Sequence, residues 1–145
     1  MREVRREPGC ELCDLTAPAV WQDEKLSVIL VDDAAYPGFC RVIWREHVRE
    51  MSDLDQDDRL LLNEAVYLVE EAVRETMQPL KVNVASLGNV VPHLHWHIIP
   101  RYADDAHFPA PVWAKAARQT NEATLAARRA QLADLAAAIA KRFNE

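Results

Sequence analysis

Apolar and polar positions group along this chain in two periods, and those periods mark out its elements before any chemistry is considered. Residues 27–31 form an unbroken apolar run behind Ser27, stopped by Asp32 and Asp33, as in a buried strand. Tyr36-Pro37-Gly38 supplies turn chemistry, and residues 39–44 read as a second strand. The short link between the two predicts an antiparallel hairpin, and Trp21 suggests a short leading strand. Ser52-Asp53-Leu54-Asp55 has capping-box form. Behind it Leu62, Val66, Val69 and Val73 recur at helical spacing, as do Leu61, Ala65, Leu68 and Ala72. The spacing predicts a helix over 53–77, closed by Pro79. Residues 82–87 read as a third strand, Gly88-Asn89 as a turn or bulge, and a fourth main strand follows and stops near Pro100. Residues 102–111 read as a loop. Across 114–143, Leu125, Leu132, Leu135, Ile139 and Phe143 mark one apolar stripe of a long helix, a packing or dimerisation element without chemistry of its own.

Strands, a helix, strands and a helix in that order indicate an α+β fold with a mainly antiparallel sheet. At 145 residues, half of them apolar, the chain has the size and the core of one domain. The core is expected over about 8–112, with a helical extension over 113–145. An open sheet of four to five strands leaves edges exposed, and pairing across a two-fold axis covers them, so a homodimer is expected. No apolar run is long enough for a membrane span, and no leader pattern opens the chain, which points to the cytoplasm. A formal charge of −6 argues against nucleic acid or an anionic membrane as partner. A phosphate-bearing ligand would need a local pocket instead. Three cysteines fit a reducing compartment. Cys10 and Cys13 form a Cys-x-x-Cys pair, the spacing of half a tetrahedral zinc site. Cys40 reads as a small buried residue.

The alternation has its most informative stretch at His93-Leu94-His95-Trp96-His97-Ile98-Ile99, where three of the five histidines occupy every second position. In a strand those imidazoles share one face. Two chemistries suit them. As ligands they could form a three-histidine metal site, although no Asp or Glu stands beside them on that face. As a nucleophilic centre, one neutral imidazole attacks phosphorus while its neighbours orient it and stabilise charge. The middle residue, His95, is then the attacker, and its other ring nitrogen needs an acceptor to fix the tautomer.

That run resembles the signature of the histidine triad (HIT) family, His-φ-His-φ-His-φ-φ with φ apolar. Residues 28–32, Tyr36-Pro37-Gly38-Phe39, Arg45-Glu46-His47-Val48 and the Gly88-Asn89 approach are similar to HIT landmarks in the right order, and residues 87–92 look like a bacterial branch. The resemblance implies a five-stranded HIT-like sheet and a nucleotidyl hydrolase or transferase. Such an enzyme attacks the α-phosphorus of a nucleoside phosphoramidate or dinucleoside polyphosphate, with no cofactor required for catalysis. It makes His95 the nucleophile, His97 the phosphate contact or leaving-group acid, and His93 the residue that orients the site. It gives Asp32 the ribose hydroxyls and Asn89 a phosphate oxygen, with Asn83 a further polar candidate. Some members carry a structural zinc, whose ligands here would be Cys10, Cys13, His47 and His93; the alternative for Cys10 and Cys13 is a free thiol pair. Two departures stand out: Phe39 replaces a frequent fourth histidine, and Val90 replaces a frequent Ser or Thr. They leave room for a nucleotide-binding module with weak turnover, and a zinc-dependent hydrolase is the third reading. His107 reads as a surface residue.

Overall fold

The computed structural model describes residues 5–145. Its chain order is β1 (Trp21–Gln22), β2 (Leu26–Leu30), β3 (Cys40–Trp44), a 3-10 turn (Met51–Asp53), α1 (Gln56–Met77), β4 (Lys81–Ala85), β5 (His95–Arg101), α2 (Glu122–Arg129) and α3 (Leu132–Phe143). The five strands form one antiparallel sheet in the order β1-β2-β3-β5-β4. This is the α+β arrangement that the alternation predicts.

Period-two alternation gives the sheet two different faces. On one, Leu26, Val28, Cys40, Val42 and Ile98 join Leu62, Ala65, Val69 and Val73 of α1 in the main core. Leu135 and Ile139 of α3 are fully buried in the same core, so the C-terminal segment completes it. The opposite face carries Ile29 of β2, Arg41 and Ile43 of β3, His95 and His97 of β5, and Asn83 of β4. The register fixes this by pairing Ile29 with Arg41, Arg41 with His97, Ile43 with His95, and Asn83 with Ile99. Among the described residues no helix covers that face in the way α1 covers the first. It is lined instead by the N-terminal segment, whose Leu12 packs on Ile29 and Ile43.

Local signals place the helix ends. Asp55, rather than Ser52, caps α1 by accepting from Asp58 N at 2.9 Å, and Gln78 closes it in the left-handed region just before Pro79. At the β2–β3 turn Gly38 has φ +93°, and a Cβ there would meet the Met77 side chain at 3.0 Å. The turn therefore sits directly against the end of α1.

The C-terminal region departs from the single helix expected over 114–143. Residues 114–120 are irregular and the rest divides into α2 and α3. Tertiary hydrogen bonds hold the irregular stretch: Ala117 N donates to Ala106 O at 2.7 Å, Arg118 to Asp105 O and Phe108 O, and Thr120 Oγ1 to Asp104 O. Asn121 then caps α2 by accepting from Ala123 N.

Candidate active site and metal cluster

The histidine run does not lie wholly in β5. His93 N donates to Val91 O at 2.8 Å in a tight turn centred on Pro92, and the strand begins at His95. His95, which is buried, and His97 share one face, as alternation requires, with ring centroids 4.9 Å apart and planes near perpendicular. His93 leads into the strand and is 1 % exposed.

The hydrogen bonds fix two tautomers. His95 Nδ1 lies 2.6 Å from the His93 carbonyl oxygen. A carbonyl only accepts, so Nδ1 carries the proton and Nε2 is left as an unprotonated lone pair. That is the state a nucleophile needs. His93 Nε2 in the same way donates to Trp44 O, which leaves its Nδ1 free to act as a ligand. Burial lowers the pKa of all three imidazoles. For His97 burial, the His95 ring and the Arg41 charge together take it down to about 4, so it is neutral at pH 7.

The free Nδ1 of His93 faces a cluster. It lies 3.5 Å from Cys10 Sγ, 3.5 Å from Cys13 Sγ and 3.2 Å from His47 Nδ1, and Cys13 Sγ is 3.4 Å from His47 Nδ1. All four donor atoms lie within 4.8 Å of one another. Ligands at the ordinary zinc–sulfur and zinc–nitrogen lengths stand roughly 3.3–3.8 Å apart around a tetrahedron. The donor set and its spacing therefore fit Zn²⁺. The four sequence-predicted ligands converge from three separate parts of the chain.

The other predicted residues divide. Asn83 is half-buried, and its Oδ1 accepts from Arg101 Nη1 at 2.7 Å, which leaves the amide NH₂ as a donor. Asp32 is exposed just beyond β2, and Asn89 is exposed in the β4–β5 link. Neither is brought against the imidazoles by a hydrogen bond. Phe39, where a histidine was noted as absent, packs edge-on against His97 with centroids 5.7 Å apart. Val90 is 92 % exposed. His107 is half-buried rather than on the surface: its Nδ1 lies 2.6 Å from the Tyr36 hydroxyl and its ring stacks on Tyr36. Cys40 is fully buried, as expected, and burial pushes its thiol up to about 12.

Sequence reasoning passed over Arg41, Arg101 and Asp105. Arg41 looked like one polar residue in an apolar strand, and the period-two pattern that puts it on the histidine face was its only signal. Arg101, the last residue of β5, and Asp105 form a buried ion pair at 2.7 Å that holds the loop between them.

Residues 14–104 match the family model described as "HIT domain". The chain is 28 % identical over 105 residues to "Protein hit" of Bacillus subtilis, covering 69 % of this chain and 72 % of that one. A histidine triad protein from Bradyrhizobium japonicum is similar in structure, with a TM-score of 0.69 and 29 % identity over 86 % of this chain and 89 % of its own. One from Marinobacter aquaeolei gives 0.68 and 29 %, over 89 % and 95 %. A zinc-bound histidine triad family protein from Mycobacterium smegmatis shares the fold at a TM-score of 0.54 and 23 % identity, over 89 % and 94 %.

Proposed function

The chain belongs to the histidine triad family, and from that premise we propose that it is a nucleotidyl hydrolase acting through His95. The observation that carries this is the His95 Nδ1 bond to the His93 carbonyl, which leaves Nε2 as the free lone pair on the histidine face. In the reaction Nε2 attacks the α-phosphorus of a nucleoside phosphoramidate or dinucleoside polyphosphate. A P–N bond to His95 forms as the bond to the leaving group breaks, and the leaving group departs with the electron pair. Water then cleaves the P–N bond, releasing the nucleoside monophosphate and restoring the imidazole. His97, neutral at pH 7, donates an N–H to a phosphoryl oxygen. An anionic phosphate beside it raises its proton affinity, which suits it to protonate the leaving group. Asp32 takes the ribose hydroxyls as a two-oxygen acceptor. Asn83, oriented by Arg101, and Asn89 supply amide donors for phosphate oxygens.

Cys10, Cys13, His47 and His93 would hold a zinc ion with a structural role. When bound, it would tie the N-terminal segment to the residue whose carbonyl orients His95. The attacking step uses no metal. The wider reading is a homodimeric protein of the cytoplasm. Among the described residues no helix is long and apolar enough to cross a membrane.

Turnover of a fluorogenic adenylate phosphoramidate and of diadenosine polyphosphates tests the reading. His95→Ala should lower kcat by about 10³-fold or more while nucleotide binding persists. Wild-type nucleotide binding without any turnover would overturn the hydrolase and favour the binding module. Full activity after exhaustive chelation, with the fold intact, excludes a zinc-dependent hydrolase.

A further inference from the structure

Arg41 is out of place for a residue in the middle of a strand. It is half-buried on β3, between Ile29 of β2 and His97 of β5, its direct partners in the sheet. Its Nε atom is buried and has no hydrogen-bond partner among the described residues. Its guanidinium makes no ion pair among them either, and its one aromatic contact is with the Phe39 ring, 5.9 Å from the centroid. Arg101, the other arginine on this face, is the contrast. Its donors go to Asp105, Asn83 and the Ala110 carbonyl. The chain has 23 acidic residues against 17 Lys and Arg, so a carboxylate to neutralise Arg41 would not be scarce. Among the described residues none is placed there.

The next position across the sheet repeats the pattern. His97 Nδ1 is likewise buried without a partner. Two polar groups on neighbouring strands, both on the histidine face, are thus left unmatched among the described residues. Buried polar groups are ordinarily paired, and the exceptions call for a ligand or another cause. A guanidinium fork matches two oxygens of a phosphate. An oxyanion beside His97 and Arg41 would satisfy both groups together.

We propose that Arg41 binds phosphate oxygens on the leaving-group side of the scissile bond. The site would then favour nucleotides whose leaving group itself carries phosphate, as in dinucleoside polyphosphates, over nucleoside phosphoramidates. This rests on the hydrolase reading above. As the P–N bond to His95 forms, the P–O bond to a polyphosphate breaks and its electron pair leaves as an oxyanion. A fixed cation at that position stabilises charge that grows during the step. An amine leaving group departs neutral and gains nothing from it.

The test compares wild type, Arg41→Met, Arg41→Gln and Arg41→Lys. The measured quantities are kcat/KM on diadenosine tetraphosphate and on adenosine phosphoramidate, and binding of inorganic pyrophosphate by calorimetry at low salt. The two neutral variants should lose about 100-fold on the tetraphosphate and less than about threefold on the phosphoramidate, with pyrophosphate binding weakened at least about tenfold. Lysine should recover part of each loss. Melting curves confirm that a compared variant is folded, and glutamine stands in if methionine does not fold. Equal losses on both substrates, or no loss on the tetraphosphate, overturn the proposal while leaving the hydrolase in place. If wild type turns over neither substrate, the hydrolase reading falls and the calorimetry alone decides. Pyrophosphate bound by wild type and lost in the neutral variants upholds the anion site. Equal binding, or none, overturns it.

Discussion

Asp105 shows how one side chain can fix a loop against the end of a strand. Its two oxygens accept from Arg101 Nε and Nη2, the Tyr36 hydroxyl, and the backbone N–H groups of Tyr102, His107 and Phe108, at 2.7–3.2 Å. Burial pushes its pKa up, but Arg101 and the three N–H groups outweigh that and hold it well below the usual carboxylate range. An ionised carboxylate cannot donate, so Tyr36 donates to it and His107 Nδ1–H donates to Tyr36 in turn. Asp105→Asn leaves the buried Arg101 charge unmatched and should destabilise the fold by about 3 kcal/mol, read from the urea midpoint. Acid should act in two windows. Unfolded, His97 takes a proton near pH 6.5; folded, only near pH 4, so the unfolded state binds more protons between those values. Stability from this group is complete above pH 6.5 and falls as pH drops towards 4. Asp105 acts in the opposite sense of charge: its stabilisation is present above pH 4 and is lost below. The melting temperature should therefore decline from pH 7 to 5 less steeply in His97→Asn than in wild type, and equal slopes would contradict the assignment. These individual roles were only partly legible in the sequence. The shared face of His95 and His97 follows from the alternation, but a buried ion pair between the end of a strand and the loop after it has no periodic signature.

At the scale of elements, the strands were readable because the sheet buries both periods of its central strands. The predicted strands fall within a residue or two of β2, β3 and β4. The exceptions have local causes. His93 leaves the strand because the Val91–His93 turn is centred on Pro92, and that departure lets its ring face the cysteines while its carbonyl holds His95. The break between α2 and α3 falls at Ala130 and Gln131, both good helix formers, so no residue there announces it. The irregular 114–120 stretch is set by hydrogen bonds to residues 104–108 that sequence periodicity cannot encode. The N-terminal segment poses the sharpest element-level question, since two short-range cysteines meet two long-range histidines. Cys13→Ser should reduce bound zinc from about one per chain to near zero by elemental analysis, and should lower the melting temperature. Unchanged zinc content would exclude the cluster as the site.

The whole molecule is a one-sided sandwich. Helices cover one face of the sheet, and the other carries the histidines and the N-terminal segment. β4 forms an edge of the sheet, and Leu80, Val84 and Leu87 in and beside it are exposed. An open edge with apolar side chains invites pairing with a second copy. Light scattering coupled to size exclusion should give about twice the 16.5 kDa chain mass. A single-chain mass at micromolar concentration would sink the homodimer. The chain direction also brings its early and late residues together. Trp21 of β1 stacks on Phe143 at the end of α3 with centroids 4.3 Å apart, and its indole N–H donates to Asn144. Considered as an optical probe, this pair makes the indole at one end of the sheet report on the last helix. Undocking α3 would move Trp21 into water and shift its emission to the red while buried Trp44 kept its blue component. In a chain with Trp96 and Trp113 replaced by Phe, fluorescence could then time the release of the C-terminus.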